Sequence, residues 1–103
     1  MHIISLEPRL FDILATAIRR EAPNVFDMEA HGCAPVDVAT LRRLLTKLDG
    51  ADHMLFLDTD EAYAAQACFE VNAEGEANVS DADYAEILAW TDPRRGRLRS
   101  APA

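Results

Sequence analysis

Cysteine is scarce in this chain of 103 residues: Cys33 and Cys68 are the only two. That is too few for a disulfide scaffold, and intracellular thiols ordinarily stay reduced. Long apolar runs are missing as well. No stretch approaches the roughly 18 apolar residues of a membrane-spanning helix, and Met1–Leu6 has neither a basic lead nor a small-residue cleavage site. These features favour a cytoplasmic protein. The chain has no internal repeat, Gly-rich phosphate loop, GxSxG elbow or HExxH pair, so no motif argues for an enzyme. His31, Cys33, His53 and Cys68 lack the paired short spacings of a structural zinc site. Asp58, Thr59, Asp60 and Glu61 lack the central glycine of a helix-loop-helix calcium loop. No cofactor or metal is therefore expected, and a metal-binding regulator built on those histidines and cysteines is the weakest reading.

The most informative absence is of basic residues. The net charge is −8, too acidic to hold a nucleic acid backbone by counter-charge. Residues 1–48 balance six acids against six bases, whereas residues 49–92 hold twelve acids and no Lys or Arg, and the last eleven residues add four arginines. Concentrated like charge costs stability, because exposed carboxylates oppose one another within a Debye length of roughly 8 Å at physiological salt.

Half of the residues are hydrophobic, enough for one thin core in a single domain. Leu10, Phe11, Leu14, Ala17 and Ile18 lie on one helical stripe over 7–20, with Pro8 in the first turn and Pro23 just past the expected end. Residues 23–35 read as a connection. Val38, Leu41, Leu44, Leu45 and Leu48 form a second stripe, between Asp37 as N-cap and Gly50 as stop. His53–Leu57 reads as a buried strand.

Residues 59–72 give two answers. Asp58 and Glu61 have capping-box spacing ahead of an Ala-rich run, which argues helix. Tyr63, Ala65, Ala67, Phe69 and Val71 alternate with their neighbours, which argues a half-buried strand. The preferred expectation is a three-stranded antiparallel meander over 53–58, 63–72 and 76–80, with a helix at 59–68 as the alternative. Ser80 and Asp83 open a third helix that ends before Pro93. The expected fold is thus a small α+β domain over 1–93: two N-terminal helices, the meander, one C-terminal helix, and then a mobile basic tail over 94–103.

Binding is the function class the charge block favours. Asp58, Asp60, Glu61, Glu70, Glu74 and Glu76 are the expected partner-binding residues, acting as phosphate-like charges toward a basic protein partner. Inhibitors and immunity-type proteins, including phage anti-defence or anti-CRISPR proteins and toxin-neutralising proteins, use this chemistry against nucleic-acid-handling enzymes or complexes. The alternative is a homo-oligomeric structural or regulatory protein, in which the acidic face is only solubilising and a helix face or the 76–80 strand self-associates. Neither reading involves direct contact with nucleic acid or membrane.

Overall fold

The computed structural model describes residues 2–73 and 79–92. Strand β1 (His2–Ser5) leads into helix α1 (Pro8–Ala30), followed by α2 (Val38–Asp49), strand β2 (Met54–Leu57), α3 (Thr59–Ala73) and α4 (Asp81–Thr91). The expected meander is not formed: the described residues build four helices and a two-stranded antiparallel sheet.

Helix α3 replaces the expected central strand, and its reason is local. The Asp58 carboxylate accepts from the Glu61 backbone N–H at 2.7 Å, and the Glu61 carboxylate accepts from the Asp58 N–H at 2.8 Å. This reciprocal cap satisfies two donors that a new helix would otherwise leave open. The alternation over 63–71 was misleading because alanine reads as apolar in either period. A strand would have buried Tyr63 and Val71 with Phe69, yet Tyr63 is 52% and Val71 65% exposed while Phe69 is fully buried. Ala62, Ala65, Cys68 and Phe69 instead form a buried helical stripe. Of the expected third strand, residues 76–78 lie outside the described set; Val79 is not in a strand, and the Ser80 side chain caps α4 by accepting from the Asp83 N–H. The 94–103 tail also lies outside the described residues.

Helix α1 does not stop at residue 20 but runs through Pro23 to Ala30. Pro23 has no N–H to offer the Arg19 carbonyl, a defect that costs about 3 kcal/mol in an ordinary helix interior. The buried stripe runs across it, from Glu21 and Ala22 to Val25, and packing on α3 offsets the lost bond. Helix α2 follows its sequence signals, with the Asp37 side chain accepting from the Thr40 N–H and Gly50 at the C-cap.

Strand β1 adds an element to those expected from the sequence. Its register pairs His2 with Leu57, Ile3 with Phe56, Ile4 with Leu55 and Ser5 with Met54. Ile4, Leu55 and Leu57 face the helices and are buried, while Met54 and Phe56 on the opposite face are 37% and 49% exposed. Alanine-rich α3 lies at the centre of the helices and packs on α1, α2 and α4. The core joins Leu14 and Ile18 of α1, Leu41, Leu44 and Leu48 of α2, Phe69 of α3 and Ile87 of α4, each contributing about 2 kcal/mol on burial. Phe69 also stacks at a tilt against Tyr84, with ring centroids 5.1 Å apart. No helix among the described residues is long and apolar enough to cross a membrane.

Candidate functional site: the outward face of α3

The capping box that starts α3 also sorts its carboxylates. Glu61 turns inward and is 1% exposed. Besides the Asp58 N–H, it accepts from Lys47 Nζ at 2.7 Å, and Arg43 Nε lies 3.5 Å from its other oxygen. A buried carboxylate needs such partners, since desolvation would otherwise disfavour its charge. Asp58 is held by the cap and lies 3.8 Å from Arg43. These two acids serve the helix and answer cations from α2.

Asp60 and Glu70 project the other way. Both are exposed, and neither has an ion-pair or hydrogen-bond partner in the described structure. Asp60, Tyr63, Ala67, Glu70 and Val71 recur at three- and four-residue spacing, which places them on one helix face. That face carries two free carboxylates beside two of the four large exposed apolar side chains of the described structure. The structure therefore brings Asp60 and Glu70 onto one surface, sets Asp58 and Glu61 apart in the cap, and leaves Glu74 and Glu76 outside the described residues.

The α1–α2 connection runs beside this face. A hollow of about 340 Å³ is lined by residues that include Pro35, Val36, Asp37, Thr40, Asp60 and Tyr63. A narrower recess of about 50 Å³ is lined by Pro35, Val36, Ala67, Cys68, Val71 and Glu21. Pro35 and Val36 line both.

Sequence reasoning missed Glu21, which lines the narrower recess. It is 5% exposed, and its Oε1 accepts from Asn72 Nδ2 at 2.6 Å and Asn24 Nδ2 at 3.3 Å. The contact with Asn72 ties α1 to α3. The signal is present: Glu21 falls three residues after Ile18 on the apolar stripe, but the expected helix stops at residue 20, ahead of Pro23. Nearby, burial first and the Glu21 charge second push the Cys68 thiol up to about 11.

The bases of the first half meet the acids of the second. Arg9 of α1 donates to both carboxylate oxygens of Asp83 on α4, at 2.8 and 3.1 Å, and Arg19 lies 3.5 Å from Asp49. The Asp83 carboxyl is held below its ordinary range, chiefly by its hydrogen bond with Arg9, and the Arg9 guanidinium is raised by the same contact. Arg42 lies over the Phe26 ring at 5.4 Å.

The scattered histidines and cysteines have separate local roles. His31 Nδ1 and Cys33 Sγ engage the Asp27 and Met28 carbonyls at the end of α1, His53 lies beside Asp52, and Cys68 is buried in α3. Among the described residues, no group of three or more His, Cys, Asp or Glu side chains is placed to hold a metal ion. No protein-family model, curated protein or solved structure matches this chain.

Proposed function

We propose that the protein works by binding, and that it presents the outward face of α3 and the adjoining hollow to a basic, partly apolar surface of a protein partner. The observation that carries this reading is the juxtaposition on one helix face of Asp60 and Glu70, free of counter-charge, with half-exposed Tyr63 and Val71. Unpaired carboxylates raise the rate of encounter with a cationic surface, while an aromatic side chain beside a hollow supplies the area that holds the complex. A partner that ordinarily grips nucleic-acid phosphates offers the matching charge, which is the inhibitor or immunity-type form of the proposal.

The test compares wild type with the Asp60→Lys/Glu70→Lys double variant as baits in extracts of the native host. Both positions are exposed, so the fold is expected to survive, and circular dichroism checks this. The proposal expects a protein retained by wild type and lost by the variant, with affinity falling more than about tenfold between 50 and 300 mM salt. Identical proteins retained by both baits, or a complex indifferent to salt, would overturn it.

A further inference from the structure

The two edges of the small sheet differ. Leu6 N–H donates to the His53 carbonyl at 3.1 Å, and this pair continues the β1–β2 register. Hydrogen-bonded pairs alternate along an antiparallel ladder, so Ile4 with Leu55 and His2 with Leu57 are the bonded pairs. The N–H and C=O groups of Ile3 and Ser5 on β1, and of Met54 and Phe56 on β2, therefore point away from the sheet. On the β2 side the outward Phe56 carbonyl accepts from Lys47 Nζ at 2.8 Å, and that lysine is in turn anchored to Glu61. A lysine at an edge is a common guard against further strand pairing. Among the described residues the β1 side has no such guard. His2-Ile3-Ile4-Ser5 contains no Lys, Asp, Glu or Pro, and among the described residues nothing meets the outward groups of Ile3 and Ser5.

We propose that β1 pairs antiparallel with β1 of a second copy, joining two sheets into one continuous four-stranded sheet across a two-fold axis at Ile4. The choice of a second copy follows from the register. Ile3 and Ser5 are symmetric about Ile4, so placing Ile3 opposite Ser5 of the other copy satisfies both N–H and both C=O groups of each strand reciprocally. An isologous contact requires this self-complementarity. The faces agree too, because residues directly opposite in an antiparallel pair share a face. Ile4 meets Ile4 on the helix-covered side. Ile3 and Ser5 meet on the outer side, beside the half-exposed Met54 and Phe56. A slip by one residue would bring the wrong backbone groups together, and a slip by two would leave either Ile3 or Ser5 without a partner inside the other strand.

Charge sets the sign of the salt effect. Each protomer carries a net charge of −8, so like-charge repulsion opposes dimerisation and added salt strengthens it. Docking to a basic partner through α3 has the opposite dependence, and either interaction can fail without the other.

Sedimentation velocity on the full chain, at protein concentrations from about 5 to 500 μM and at two salt concentrations, tests the inference. The expected result is a monomer–dimer equilibrium that shifts toward dimer in higher salt. Ser5→Pro removes an outward donor and breaks no β1–β2 bond; Ser5→Lys keeps every backbone group but brings two cations close across the axis. Each should weaken the dimer by at least about tenfold while far-ultraviolet circular dichroism stays unchanged. Should Ser5→Pro unfold the sheet, Ser5→Lys and the wild-type equilibrium decide. A wild type that stays monomeric, a dimer untouched by Ser5→Lys, or Ile3 and Ser5 amides protected from exchange in the monomer would each overturn the pairing.

Discussion

Asp60 and Glu61 are neighbours in the chain with opposite fates. One reciprocal cap turns Glu61 toward Lys47 and Arg43 and leaves Asp60 in solvent. Composition cannot tell the two acids apart, since only the helical geometry decides which faces inward. The two cysteines are distinguished by burial. Cys33 is exposed, while Cys68 is buried and its thiol is pushed up to about 11. Iodoacetamide at pH 8 should therefore label Cys33 alone in the native protein and both residues after denaturation, as peptide mass spectrometry would show. The raised Cys68 value also fixes a pH window. Its stabilising contribution is complete below the ordinary thiol value of 9.0 and is lost as pH rises toward about 11, so Cys68→Ala should flatten the decline of Tm over that range. Glu21 and Asn72 are 51 positions apart, and no local pattern in the sequence announces their contact.

The starts of α2 at Asp37 and of α4 at Ser80 are legible in the sequence because each cap is written within four residues. The start of α3 carried the same kind of signal, but the Ala-rich segment behind it fits two periodicities. Large side chains would have separated those periods. Helix α1 shows the converse problem, in which a strong local signal at Pro23 gives way to packing between distant elements. Pro23 is exposed, so Pro23→Ala should return a donor to the Arg19 carbonyl without disturbing the core. Thermal unfolding should show a gain of about 1 to 3 kcal/mol, or roughly 5 °C or more in Tm. No gain would mean that α1 already absorbs the proline through a bend. Strand β1 was beyond sequence reading for a related reason: four residues make a strand only because β2, about fifty positions later, supplies its ladder.

At the scale of the molecule, bases of the first half answer four acids of the 49–92 block among the described residues: Asp49, Asp58, Glu61 and Asp83. Arg9 reaches Asp83 across 74 positions, and α2 supplies the cations for Glu61. Asp83→Asn probes the longest of these links. Because Arg9 holds the Asp83 carboxyl below 3.8, the pair contributes fully above that value, and its contribution is lost as pH falls through the lowered native value. The Tm difference between wild type and variant should therefore be present at pH 7 and vanish in strong acid, a titration that scanning calorimetry can follow. A difference independent of pH would assign the effect to packing. Among the described residues Asp60 and Glu70 keep their charge unanswered and lie together on one face of α3.

The cross-pairing of halves has one more consequence. Toward residues 54–92, residues 8–49 behave as a binding partner would, offering a leucine face and the right cations at the right places. The short link at 50–53 is then a tether that fixes the stoichiometry at one to one, and the recognition on which the fold depends is written on both sides of it.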